Sequence, residues 1–180
     1  MSRADLLDRV ITYLAGAGVG DRSLRQIAAG AGTSHRMLIY HFGTRDGLLV
    51  EVVRAVEERQ RVALASMRSR TPRELALEFW HRLADPALAP YERLFFELYG
   101  AALAGQESVA PVLDGIVTSW LEDESMFAGL PLAQARMALA FTRGALLDLL
   151  ATGDRDGVDA AVQAFVDLVW PPSSGPPEQP

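Results

Sequence analysis

The stretch from Ser34 to Leu49, "SHRMLIYHFGTRDGLL", gathers two histidines, two arginines and a tyrosine among apolar residues. Three chemistries draw on such a mixture: metal ligation by imidazoles, proton transfer by a histidine pair, and reading of a nucleic acid by a basic, aromatic helix. His35 and His41 are six residues apart, so on a helix they occupy different faces, and His81 is distant in the chain. There is no cysteine to complete a zinc site. The chain has no Gly-x-Ser-x-Gly elbow and no Gly-x4-Gly-Lys-Ser/Thr loop. The glycine-rich "AGAGVG" follows a helical pattern rather than a strand, and reads as a helix stop. No catalytic residue, metal or cofactor is expected, and the chain reads as a non-enzyme.

Charge favours the third chemistry. The formal net charge is −6, but residues 1–50 hold six arginines against four aspartates, which leaves −8 for the remainder. A mildly basic front end on an acidic body suggests that the front meets an anion. The N-terminus lacks the basic region and unbroken apolar run of a signal peptide. No segment offers about 18 uncharged apolar residues, so neither a membrane span nor a membrane partner is expected. A cytoplasmic protein is expected.

The elements that must position these residues read as helices throughout, giving an all-α fold of about nine helices. Leu6, Leu7, Val10, Ile11 and Leu14 follow the i, i+3, i+4 rule and predict a helix from about 3 to 17. Short helices follow at 23–30 and 34–42, then a longer one at 45–68. "SRTPREL" is the expected seam, with Thr71 as a cap and Pro72 in the first turn. Further helices are predicted near 72–84, 91–105, 108–124, 131–152 and 155–170. The boundaries expected are a first domain over 1–50, linked by the helix at 45–68, a second over 51–170, and a disordered proline-rich tail over 171–180.

The two short helices carry a specific spacing. Helices crossing at about 90–120° through a tight turn need a small residue where they touch, and Ala28 supplies it. The turn needs a residue tolerant of positive φ, which is Gly32. Thr33 or Ser34 can cap the second helix. Leu38 and Phe42 pin it inward, leaving His35, Arg36, Met37, Ile39, Tyr40 and His41 mostly outward. That is the plan of a helix-turn-helix whose second helix enters the major groove of DNA. The break at "FGT" then starts another helix, where free N–H groups and Arg45 suit a phosphate. Arg22 and Arg25 suit either phosphate contacts or a solvated surface.

From about residue 5 to 50, "LLDRVITYLAGAGVGDRSLRQIAAGAGTSHRMLIYHFGTRDGLL" resembles the DNA-binding domain of the tetracycline-repressor (TetR/AcrR) family. Beyond residue 50 the resemblance is architectural. It implies a three-helix DNA-binding domain followed by a larger helical ligand-binding domain that dimerises through its last two helices. It puts the recognition helix on Ser34–Phe42, phosphate contacts on Tyr40 and His41, and the basic residue opening the fourth helix on Arg45. Arg36, Met37 and Ile39 stand where the family is often more polar or aromatic. Arg36 can pair with a guanine, whereas Met37 and Ile39 either touch thymine methyls or fill space. The expected DNA-binding set is therefore Arg25, Ser34, His35, Arg36, Met37, Ile39, Tyr40, His41 and Arg45.

Aromatic residues accumulate after Phe79. Core packing accounts for any one of them, but Trp80, Phe96, Tyr99, Trp120 and Phe141 are together candidates to line an apolar ligand pocket, with Glu97 or Arg143 as polar contacts. Residues 132–152 and 156–170 are apolar over wide arcs, which suits a two-fold helical interface. The function expected is a homodimeric regulator on a near-palindromic operator of duplex DNA, nucleoid-associated when bound. It is read as a repressor released by a small apolar or amphipathic effector. The alternative is a helical small-molecule-binding protein or enzyme that retains a vestigial helix-turn-helix.

Overall fold

In the computed structural model, residues 2–67, 71–122 and 130–171 are described. The expected disordered tail lies outside them from residue 172 onward. Every regular element among the described residues is helical.

Each early helix begins where a side chain can accept the first free amides. Helix α1 is Arg3–Ala17: the Ser2 hydroxyl accepts from Asp5 N–H, and the Asp5 carboxylate accepts from Ser2 N–H. Ser23 and Gln26 repeat this box at α2, Leu24–Gly30. Ser34 caps α3, His35–Phe42, by accepting from Met37 N–H at 3.2 Å. Thr44 Oγ1 accepts from Gly47 N–H to open α4, Arg45–Ser66. The Thr71–Glu74 box with Pro72 starts α5, Pro72–Leu83. Helix α6 is Ala89–Leu103.

The helix expected over 108–124 takes another form. Glu107–Leu113 is a 3-10 helix, and α7 is a single turn, Thr118–Leu121. Pro111 has no N–H for an α-helical bond, and Gly115 turns the chain with φ 73. Helix α8 is Leu132–Thr152, and α9 is Arg155–Val169. No helix among the described residues is long and apolar enough to cross a membrane.

The chain forms two compact units. The first is Met1–Val62 with Pro86–Thr118, and the second is Ala63–Asp85 with Ser119–Pro180. The division falls within α4, the helix that the sequence read as the link. The first unit also takes in α6 and the 3-10 helix, because their apolar faces share one core with the helix-turn-helix. Leu94, Leu98, Val109 and Val112 are buried in the same cluster as Leu6, Ile11, Ile27, Leu38 and Val52. At its surface Arg3 pairs with Glu51 at 2.5 Å and lies over the Phe42 ring, while Arg59 pairs with Asp8. Such exposed pairs add little individually, but both join α1 to α4.

The second unit packs α9 against α5 through polar bonds at its rim. Trp80 donates its indole N–H to Asp159 at 2.6 Å, and Arg155 donates to the same carboxylate at 2.6 Å. Arg155 also donates to Ala84 O at 2.8 Å, and Arg73 pairs with Asp167 at 2.7 Å. Burial acts to raise the Asp159 pKa, but the bonds from Trp80 and Arg155 and the Arg155 charge outweigh it and hold the carboxyl below 3.8. Its ionised form is therefore preferred in the folded state. The stability it contributes is present above about pH 3.8 and is lost as pH falls through the lower folded value. Asp159→Asn should lower the melting temperature at pH 7 by about 2–4 °C, the equivalent of about 1 kcal/mol. In calorimetry across pH, the gap from the native protein should shrink as the pH drops below that window.

Candidate nucleic-acid interface

Helix α3 has two distinct sides. Leu38 is fully buried and Phe42 nearly so. Away from them, Arg36, Ile39 and Tyr40 lie at i, i+3 and i+4 and form one exposed stripe, with Tyr40 79% and Ile39 46% accessible. An apolar ring this open on a two-turn helix gains nothing for the core. His35 and His41 are half-buried. The His41 ring stands edge-on to Tyr40 at 4.8 Å and tilts toward Phe42 at 6.2 Å, which bridges the two sides.

One sequence expectation changes here. Met37, expected outward, is half-buried and packs against the core. It lies about 100° round the helix from Leu38, within reach of an unbranched, flexible side chain. Ser34 caps the helix with its hydroxyl, one of the two caps the sequence allowed. The turn itself matches expectation: Gly32 has φ 63, and Ala28 is buried.

Arg45 is held from behind. Its Nε donates to Arg22 O at 2.7 Å and its Nη2 to Gly20 O at 2.9 Å, while Nη1 lies 4.0 Å from Asp46. One edge of the guanidinium thus grips the α1–α2 loop through two bonds, and the side chain is only 24% exposed. Arg22 turns back on the same loop, donating to Gly18 O at 2.9 Å. Arg25 is exposed on α2.

Glu97, which the sequence offered as a ligand contact, instead reaches this loop from α6. Val19 N–H donates to its two oxygens at 3.0 and 3.1 Å, and Gly20 N–H donates to Oε1 at 2.9 Å. Seventy-eight positions separate Val19 from Glu97, and no local spacing could have indicated that bond.

The five aromatic residues proposed for a ligand do not gather at one place. Trp80 and Phe141 line an apolar cavity of the second unit together with Leu64, Phe79, Phe165 and Trp170. Trp120 packs on Phe79 at 6.1 Å. Phe96 and Tyr99 belong to the first unit, where both pack with Phe95, Tyr99 stacked at 5.6 Å. The cavity is about 30 Å³, room for a water or two. The Phe141 and Phe165 rings close one side, stacked 4.0 Å apart. Phe165 and Trp170 were missed from the sequence because they sit on a helix that reads as interface.

No family model and no curated protein matches this chain. Solved structures do. A TetR-family transcriptional regulator from Rhodococcus sp. superposes with a TM-score of 0.77 at 18% identity, covering 93% of this chain and 97% of that one. A transcriptional regulator from Rhodococcus sp. Rha1 gives 0.76 at 19% identity, covering 94% and 96%. A multidrug binding protein, EbrR, in complex with imidazole gives 0.69 at 23% identity, covering 96% and 92%. The chain therefore has the fold of TetR-family regulators along nearly its whole length, with the helix-turn-helix at the N-terminal end.

Arg45→Lys should separate the loop-holding role from charge. A lysine cannot give two in-plane bonds to the Arg22 and Gly20 carbonyls. Its melting temperature is expected to fall by about 2–4 °C, corresponding to about 1 kcal/mol. Tyr40→Ala, which removes an exposed ring, should stay within about 1 °C of the native value in the same scan.

Proposed function

We propose that the protein is a sequence-specific, homodimeric DNA-binding regulator of transcription. The observation that carries this reading is the exposed Arg36–Ile39–Tyr40 stripe on the second helix of a helix-turn-helix. Arg36 reads a base edge, bidentate to guanine where the register allows. Ile39 meets a thymine methyl. Tyr40 and His41, at the end of the same helix, bond phosphate, and Arg25 adds a charge from α2. The first amides of α4 point the same positive helix end at the backbone.

A single eight-residue reading helix covers one half-site, so two copies are needed, about 34–36 Å apart or a multiple of that spacing. Leu132, Met137, Leu147 and Leu168 on α8 and α9 are large apolar side chains left exposed. A second copy of the chain is the occupant that this reading assigns to them. The apolar cavity behind Trp80 and Phe141 is the effector site. It is small as it stands, so an effector must part the Phe141–Phe165 stack and favour a different arrangement of the dimer. A repressor released in this way needs a coupling of only about 1–3 kcal/mol between effector and operator. EbrR, described as a multidrug binding protein in complex with imidazole, supports a small-molecule effector for this fold. A cytoplasmic location follows from the DNA target.

Selection of bound sequences from random duplex DNA should yield a near-palindromic site. On that site Arg36→Ala should relax preference at one base pair by about 1–3 kcal/mol. Arg25→Ala should weaken all duplexes alike and reduce the salt slope by about 1. No enrichment, or a monomer at micromolar concentration with full operator affinity, would remove the proposal.

A further inference from the structure

We propose that Glu97 is a positioning residue for DNA binding, acting through the glycine-rich loop between α1 and α2; this rests on the DNA-binding reading above. Gly18 and Gly20 both have positive φ, 73° and 44°. That backbone aims the successive N–H groups of Val19 and Gly20 to one side and forms a small anion-binding concavity. A carboxylate of the same chain fills it: Glu97 accepts three bonds there, all between 2.9 and 3.1 Å.

The other side of the loop is equally committed. Its carbonyls at Gly20 and Arg22 receive the Arg45 guanidinium, from the first residue of α4. Gly20 is thus held through its N–H by α6 and through its carbonyl by α4. The loop leads directly into Ser23, the cap of α2. Its placement sets where α2 begins, and α2 carries α3 through the turn at Gly32.

Apart from Val19, which is buried, little packing substitutes for these bonds. A cavity of about 180 Å³ lies beside them, lined by Asp21, Arg45, Glu97 and Gln106 among others. Without the carboxylate the loop has room to shift, and the reading helix loses its registration against α6.

The test exploits a sign. Removing a negative charge from a DNA-binding unit raises affinity for every duplex if electrostatics alone acts. The positioning role demands the reverse. Glu97→Ala should bind the selected duplex about tenfold more weakly, with an unchanged salt slope. Glu97→Gln keeps one acceptor oxygen and should fall between the variant and the native protein. Amide exchange supplies an independent reading: Val19 and Gly20 N–H should be protected in the native protein and exchange faster in both variants. Affinities are taken per active molecule, by stoichiometric titration below the melting transition, so lost stability cannot imitate lost binding. Operator affinity equal to or above the native value in both variants, or unchanged Val19 and Gly20 exchange, would overturn the proposal. If the native protein itself selects no duplex sequence, the underlying DNA reading fails instead, and the positioning role goes with it.

Discussion

Helix α3 is eight residues long and α2 is seven. Neither could persist alone in water, where helices below about 12–15 residues are marginal. They exist because Leu38, Phe42, Ile27 and Ala28 are buried against α1 and α4. Everything outward on α3 is a consequence of that burial. Once Leu38 points in, the 100° step per residue puts Arg36 and Tyr40 on the far side, about 160° away, and Ile39 on the flank beside them. The exposed surface is written by the buried one.

What was legible in the sequence was local. Ala28, Gly32, Ser34, Leu38 and Phe42 lie within fifteen positions, and each does in the structure what its chemistry suggested. The cap at Thr71 is short-range in the same way. What escaped was long-range. The Glu97 clamp joins residues 78 apart, and nothing near Glu97 distinguishes it from an exposed helical glutamate. The Arg45 bonds to loop carbonyls are invisible for the same reason, since carbonyls carry no sequence identity. Met37 was misplaced because a binary inward–outward pattern has no place for a side chain at the edge. The 3-10 form of 107–113 escapes a reading of apolar spacing, because it turns on a hydrogen bond that Pro111 cannot donate.

Between α4 and α6 the first unit also buries polar groups. Gln60 donates to the Glu92 carboxylate at 2.5 Å, and both residues are almost fully enclosed. Apolar faces slide at little cost, but a buried amide and carboxylate do not. A one-turn slip of α6 along α4 would strand both. Because Glu97 lies five residues beyond Glu92, the same bond fixes how far along α6 the loop carboxylate falls. Polar pairs inside an apolar interface thus act as a ruler for groups at its edge.

Tryptophan and tyrosine divide cleanly between the two units. All three tryptophans, at 80, 120 and 170, belong to the second, and all four tyrosines, at 13, 40, 91 and 99, belong to the first. The protein therefore carries two separable intrinsic fluorophores. Red-edge excitation sees only indoles, two of which line the apolar cavity. Tyrosine emission arises solely from the unit that holds α3, with Tyr40 its most open ring. Events in either half can be followed optically in the unlabelled native chain.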